Sequence, residues 1–114
     1  MLHRNARLTS HDDFARTTKS GLRVSSKSLV GYLYLTGSAE PAKCGLIVSK
    51  GVGGSVVRHR VARQLRHGLF DHLNKLPAGA LVVVRVLSGS ATADFKKELS
   101  VLIPRLVQKA LVTS

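Results

Sequence analysis

The positive charge of this sequence is concentrated in a stretch that contains no acidic residue. No Asp or Glu lies between Pro41 and Phe70, whereas the Lys and Arg side chains of the same window are numerous: Lys43, Lys50, Arg58, Arg60, Arg63 and Arg66. Arginine can engage a phosphate through two parallel hydrogen bonds and can also stack on a base. These residue types therefore indicate the binding of a polyanion.

The sequence contains no arrangement that is typical of a protein active site. Asp12 and Asp13 are adjacent, and adjacent helical residues point to different sides. His67 and Asp71 are one helical turn apart, but His72 does not share their side of a helix. The spacing therefore does not fit a set of metal ligands. We predict no catalytic residue and no metal ligand in the protein itself.

A glycine-rich turn at 51–54 precedes the arginines. Because its glycines interrupt any regular pattern, we expect Ser55 to be the N-cap of a helix that ends near Leu73. Lys50 comes before these glycines, whereas the lysine of a Walker nucleotide-binding loop follows them. The turn is therefore not predicted to be a Walker loop.

The predicted helix has an apolar side and a basic side. At about 100° per residue, the apolar side consists of Val57, Val61, Leu65, Leu69 and Leu73. The arginines and histidines lie on the opposite side, except that Arg58 falls within the apolar arc. An ordinary solvated helix carries both signs of charge, but no acid precedes Asp71 here. The imbalance favours a polyanion partner.

Length and composition are typical of one globular domain, which we expect to span 1–114 with a flexible basic segment at 1–8. Hydrophobic residues make up 44% of the chain, and the formal net charge is +12. Such an excess is typical of proteins that bind nucleic acid. No apolar run approaches the roughly 18 residues that could cross a membrane, and the basic start is not followed by the apolar stretch of a secretory signal.

Cys44 is the one cysteine of the chain, so it cannot form an intrachain disulfide. An unpaired cysteine suits a reducing compartment, and we expect a cytoplasmic protein. Cys44 lies in a predicted strand, where a buried apolar role is expected because unpaired cysteines are usually buried.

The run from Lys50 to Arg66 resembles the arginine-rich motif of the bacterial ribonuclease P protein component. The resemblance extends to a pattern from Arg7 to Phe14, to a strand with aromatic residues at 29–35 and to the strand at 45–50. It covers most of the chain. The motif region departs from the family at three positions: His59 replaces the usual Asn, Ala62 stands where Lys is common, and Ser55 stands where Ala is common.

This resemblance implies the protein subunit of an endoribonuclease that removes the 5′ leader of precursor tRNA. In the family, the RNA subunit hydrolyses the phosphodiester bond with Mg²⁺ that the RNA mainly holds, and the protein binds that RNA and the single-stranded leader. The implied contacts to the RNA subunit are Lys50, Arg58, His59, Arg60, Arg63 and Arg66. The implied contacts to the leader are Phe14, Tyr32, Arg7 and Thr18, the last in place of a second aromatic residue. Neither a membrane nor DNA is implied as a partner.

The predicted fold is of the α+β class, with helices packed on one mixed sheet. The expected order is α-β-β-α-β-α, with strands at 28–36, 43–50 and 81–87 and a short additional strand near 23–25. The resemblance implies an α/β sandwich that is also found in a ribosomal protein. The general rule favours a right-handed β-α-β crossover, but the resemblance implies the rare left-handed form, which we adopt.

Capping residues and a proline indicate where the first and last helices begin, end or bend. The first is expected to start at Ser10, to run to about Lys19 and to be closed by Gly21 in the left-handed conformation. The last is expected from 94 to 112, with a bend at Pro104 because proline cannot donate a helical hydrogen bond.

Three side chains in the predicted strands and first helix have two possible roles. Arg85 interrupts an almost continuous apolar strand, and it is either a buried partner of a carboxylate or a cleft residue that contacts phosphate. Phe14 and Tyr32 are either core side chains or exposed rings that stack on bases.

Two other classes of protein compete with this interpretation. A structural RNA-binding protein, such as a small ribosomal protein, also needs a basic face, but it does not need exposed Phe14 and Tyr32 on a separate surface. A helix-turn-helix DNA-binding protein would need a helix before the basic one. Residues 43–49 are predicted to form a strand there, which argues against DNA binding.

Overall fold

The computed structural model describes residues 7–113, with side chains described for 7–112. Within this range, three helices and four strands follow one another in the order α1 (His11–Ser20), β1 (Leu22–Ser25), β2 (Leu29–Leu35), β3 (Lys43–Ile47), α2 (Ser55–Phe70), β4 (Ala80–Val86) and α3 (Phe95–Thr113). Short 3-10 turns at Lys50–Val52 and Leu73–Lys75 flank α2. The predicted α-β-β-α-β-α order is confirmed, and β1 is the predicted additional strand.

The four strands form one mixed sheet in the order β1-β2-β4-β3. β1 and β4 both pair antiparallel with β2, and β3 pairs parallel with β4. β4 therefore lies between two neighbours, which explains why its first five residues are all buried. The left-handed sense of the β3-α2-β4 crossover stays a prediction.

One face of the sheet carries the main core under α2 and α3. Leu29, Leu33 and Val82 of the sheet belong to the same apolar cluster as Leu65 of α2 and Leu102 of α3. Each of these side chains is almost completely buried, and burial of a leucine or valine side chain contributes about 1.5–3 kcal/mol. The apolar side of α2 is thus anchored to the sheet.

The opposite face, which we call the α1 face, is covered in part by α1 and by the chain before it. A second cluster here contains Tyr32 and Val83 of the sheet together with Leu8, and Phe14 of α1 packs against it. Leu8 donates from its backbone N–H to the carbonyl of Cys44 (2.9 Å). Leu8 therefore belongs to the folded part of the chain. Residues 1–6 of the segment predicted to be flexible lie outside the described residues.

Several helix ends differ from the prediction. Ser10 caps α1 through its hydroxyl, as expected, but Gly21 is in the extended conformation (φ −76°, ψ 165°), so the expected left-handed closure is wrong. The N-cap of α2 is Gly54 and not Ser55, and no side chain within the described residues caps this end. α2 ends at Phe70, and α3 runs through Pro104 to Thr113 without interruption. The bend at Pro104 stays a prediction.

None of the helices within residues 7–113 combines the length and the apolar character that crossing a bilayer would require.

Candidate nucleic-acid interface

α2 presents its charged side chains because its apolar side is held against the sheet. Val61, Leu65 and Leu69 are completely buried. The side chains at His59, Arg60, Arg63 and His67 are exposed, and Arg66 is half-buried. We call these five residues the basic face of α2. It is the arrangement that the sequence predicted.

The arginines of the basic face are not neutralised by acids of the described chain. Among residues 7–112, the one ion pair joins Arg16 and Asp13 of α1, at 3.1 Å. Unpaired cations on one side of a helix add to each other's field, and the effective field is strongest at short range from the surface. The basic face is therefore suited to a closely approaching chain of phosphates.

Arg58 differs from the other arginines of α2 because it is half-buried at the edge of the core. Its Nε is buried, and no residue within 7–112 accepts a hydrogen bond from it. An unsatisfied buried donor costs about 1–3 kcal/mol. The prediction that Arg58 falls within the apolar arc of the helix is confirmed. The Nε–H group of Arg58 has no hydrogen-bond acceptor within residues 7–112. Lys50 lies in the 3-10 turn that leads into this end of α2 and is exposed.

The α1 face carries the side chains that the resemblance implies for the leader. Phe14 is half-buried and lies directly over Gly45 of β3, because a Cβ at Gly45 would come within 2.7 Å of Phe14 Cε1. Arg7 is exposed, and its backbone forms an isolated parallel β-bridge with Cys44 at the edge of the sheet. Thr18 donates from its hydroxyl to the carbonyl of Phe14 (3.0 Å), within the same helix.

Tyr32 is only 9% exposed. It lies in the interior of the α1 face, where Leu8 and Val83 belong to the same cluster. The expectation of an exposed Tyr32 ring, available for stacking, is therefore wrong for this conformation. The implied contact between Tyr32 and a leader stays a prediction.

Arg85 is exposed on the α1 face, in a cross-strand row with Val30 and Ile47. The alternative of a buried partner to a carboxylate is therefore excluded. The position of Arg85 fits the other alternative, a cleft residue that contacts phosphate.

Two further cations of the α1 face were not identified from the sequence. Arg16 lies over the ring of Tyr34, with 5.7 Å between Cζ and the ring centroid. Arg23 faces Tyr32 in the register of β1 and β2. The first pair could have been inferred only from the packing of α1 on the sheet, and the second only from the strand register.

Two buried titratable side chains lie away from both surfaces. Desolvation by burial raises the pKa of the Cys44 thiol to about 12, so it is protonated near neutral pH. Burial lowers the pKa of His72, and the charge of Lys75 adds to the effect while Asp71 opposes it. Nδ1 of His72 has no hydrogen-bond partner within residues 7–112. Over the same part of the chain, no three His, Cys, Asp or Glu side chains are grouped as metal ligands would be.

The sequence matches known proteins over almost its whole length. The family model described as Ribonuclease P matches residues 2–110. The ribonuclease P protein component of Rhodococcus opacus is 41% identical over 116 residues, which cover 93% of this chain and 92% of the relative. That of Streptomyces bikiniensis is 44% identical over 102 residues, which cover 82% of this chain and 83% of the relative. These relatives do not favour the alternative of a small ribosomal protein.

The fold matches solved structures of the same kind of protein. The RNase P protein of Staphylococcus aureus superposes with a TM-score of 0.72 at 21% identity, covering 92% of this chain and 94% of that chain. The RNase P protein of Thermotoga maritima gives 0.73 at 21% identity, covering 90% and 96%. At this level of identity, the superpositions show a shared fold. Membership of the family rests on the family model and on the sequence relatives. With an exposed arginine helix, a matching fold and a family match over 2–110, the chain belongs to the ribonuclease P protein family.

Proposed function

We propose that this chain is the protein subunit of a ribonuclease P ribonucleoprotein and assists the removal of the 5′ leader from precursor tRNA. Membership of the family supports the proposal. The observation that carries it is the basic face of α2, whose arginines have no acidic partner among residues 7–112. In this proposal the protein works in the cytoplasm and contributes no catalytic residue.

The basic face of α2 is proposed to bind the catalytic RNA. Arg60 and Arg63 are exposed and can each engage a phosphate with two hydrogen bonds. Nε of Arg58 is buried and has no acceptor in the described chain, so a phosphate oxygen could accept from it once the side chain turns outward. Lys50, His59 and Arg66 would add contacts on either side.

The α1 face is proposed to bind the single-stranded leader. Phe14 offers part of a ring for stacking, and Arg7 and Arg85 are exposed cations that can contact the backbone. Tyr32 supports this surface from within the cluster on which Phe14 packs. Thr18 has no ring, so it can contribute at most a polar contact next to Phe14.

The hydrolytic step is proposed to belong to the RNA subunit with Mg²⁺ that the RNA mainly holds. The protein would neutralise phosphates of two large polyanions and so reduce their repulsion. Because Mg²⁺ otherwise performs this screening, the protein should lower the concentration of Mg²⁺ that cleavage requires.

The test is cleavage of a 5′-extended precursor tRNA by a cognate ribonuclease P RNA at low Mg²⁺, with and without the protein. Wild-type protein should stimulate cleavage, and the double variant Arg60→Ala, Arg63→Ala should lose this stimulation. The matched control is Arg105→Ala, which removes an exposed arginine from α3 and should leave stimulation unchanged.

A protein that binds the RNA tightly yet does not stimulate cleavage would contradict the proposal and would leave a structural RNA-binding role. Equal losses in the α2 double variant and in Arg105→Ala would contradict the placement of the RNA contact on α2, because only general charge would then matter.

A further inference from the structure

A cleft of about 500 Å³ lies where the last turns of α2 meet the start of α3. Its volume is within the range of roughly 300–1,000 Å³ that is usual for small-ligand sites. The side chains that bear on its chemistry are Arg63, His67, Phe70, Asp71, Asp94 and Lys96. We call it the α2-α3 cleft. It lies apart from the α1 face, since α2 and α3 cover the other side of the sheet.

Gly68 brings the two helices together at the base of this cleft. A Cβ at Gly68 would lie 2.7 Å from Leu99 Cδ1 and 3.9 Å from the Cα of Lys96. An added methyl group would meet the end of the Leu99 side chain, so glycine lets the two helices cross at this distance without moving Leu99. The crossing places Lys96 next to α2, and Lys96 lines the cleft together with Arg63 and His67 of the basic face.

Phe70 places an exposed ring on the same side of α2 as the arginines. It is 44% exposed and follows Arg63 by two turns, so the two side chains differ by only about 20° around the helix axis. An exposed aromatic ring beside phosphate-binding cations is the combination by which proteins hold unpaired bases, since the cations take the backbone and the ring stacks on the base.

Two carboxylates distinguish this cleft from a simple phosphate site. Asp71 and Asp94 line it, and they would repel a bare phosphate. An ionised carboxylate can only accept hydrogen bonds, so it selects a base with N–H donors on its Watson–Crick edge, and guanine has two such donors side by side. Oδ1 of Asp94 accepts from the backbone N–H of Lys97 (3.2 Å), which fixes the carboxylate and leaves Oδ2 for a ligand.

We propose that the α2-α3 cleft binds one unpaired guanine of the RNA that the basic face engages. The ring of Phe70 stacks on the base, Asp71 and Asp94 accept from its Watson–Crick edge, and Arg63 and Lys96 contact the flanking phosphates. This inference rests on the proposed function, because it extends the RNA contact of α2 from phosphates to a base.

The test uses kethoxal, which modifies the Watson–Crick edge of unpaired guanines, on ribonuclease P RNA and on precursor tRNA, each with saturating protein. Wild-type protein should protect one unpaired guanine. Phe70→Leu and Asp71→Asn should restore its reactivity, whereas Phe70→Tyr should retain the protection. Loss of one stacked base corresponds to about 1–3 kcal/mol, so Phe70→Leu should weaken RNA binding by roughly 5- to 150-fold.

Leu111→Ala is the matched control, because it shortens an exposed apolar side chain far along α3 and should change neither protection nor affinity. The RNA on which protection occurs identifies the source of the guanine. If RNA binding depends on Arg60 but no guanine protection depends on Phe70, the inference is wrong and the proposed function stands. If wild-type protein does not bind the RNA at all, both are wrong.

Discussion

At the scale of single residues, Gly45 decides how closely α1 can lie on the sheet. Phe14 and Leu8 occupy the space that a side chain at this position would need, with 3.1 Å left between the added Cβ and Leu8 Cβ. A glycine inside a strand has no side chain to pack and often marks such a close approach. Gly45 therefore permits the one aromatic contact that joins α1 to β3.

Replacement of Gly45 by alanine should destabilise the protein by about 1–3 kcal/mol, because the added methyl group overpacks against Phe14. The free energy of unfolding in urea is the measurement. Combining Gly45→Ala with Phe14→Leu should cost less than the sum of the single changes, since leucine lacks the ring atoms that clash. Strict additivity would mean that Phe14 does not lie over Gly45.

His72 should make the stability of the protein depend on pH. Its pKa is lowered in the folded state from the ordinary value of 6.5, so the unfolded chain takes up the proton first. The stabilising effect of the neutral ring is complete above pH 6.5 and is lost as the pH falls toward the lowered value. Urea unfolding between about pH 7.5 and pH 5 should reveal this loss, since few carboxylates titrate in that window.

The variant His72→Gln cannot take up the proton, and its free energy of unfolding should vary less with pH than that of the wild type. His67→Gln, which replaces an exposed histidine, is the control and should keep the wild-type dependence. Identical pH profiles for His72→Gln and the wild type would refute the role of His72.

The errors of prediction at single residues have a common physical cause. Gly21 is a suitable residue for a left-handed helix end, but here it allows a close approach of two backbone segments, because an added Cβ would lie only 2.8 Å from the carbonyl oxygen of Leu33. The alternation of side chains along β2 places Tyr32 on the correct face of the sheet. Its exposure, however, depends on Leu8 and Phe14, which come from an earlier part of the chain. Sequence patterns specify which side a residue faces and not what covers that side.

At the scale of elements, α2 was the most predictable part of the molecule. Its apolar side follows from the spacing of Val61, Leu65 and Leu69, and the exposure of Arg60 and Arg63 follows from the same spacing. The α2-α3 cleft was not predictable, because it depends on where α3 crosses Gly68. The α1 face likewise depends on strand pairing between residues that are far apart in sequence.

Each arginine of the basic face should contribute a separate, salt-dependent share of RNA binding. Arg60→Ala and Arg63→Ala should each reduce the slope of log affinity against log salt by about 0.7–0.9, as expected for one phosphate contact. Equilibrium binding to ribonuclease P RNA over a series of salt concentrations is the measurement. Arg105→Ala on α3 is the matched control, and a slope change as large as that of the α2 variants would show that the contact is not local.

At the scale of the whole molecule, the net charge of +12 acts on the fold itself. Only six acidic residues accompany 18 Lys and Arg residues, so the folded chain brings like charges together. Such self-repulsion destabilises a compact state. The charge distribution therefore favours binding of a polyanion but lowers the stability of the folded protein alone.

Added salt should consequently stabilise the protein alone while it weakens RNA binding. The free energy of unfolding should rise between about 0.01 M and 0.1 M salt, where the screening length falls from about 30 Å to about 10 Å. A variant with Arg60, Arg63 and Arg66 changed to Gln should respond less. A wild-type stability that decreases with salt over this range would contradict the argument.

The central position of β4 has a consequence for how the chain folds as it is synthesised. β2 and β3 do not pair with each other, and each finds its long partner only in β4, which comes after both. Until β4 begins to leave the ribosome, the β1-β2 hairpin is the only pairing available to the strands within residues 7–113. The arginines of α2 precede β4 in the chain, so they are synthesised before the sheet on which α2 packs can be complete. Final folding is therefore tied to the synthesis of the last third of the chain.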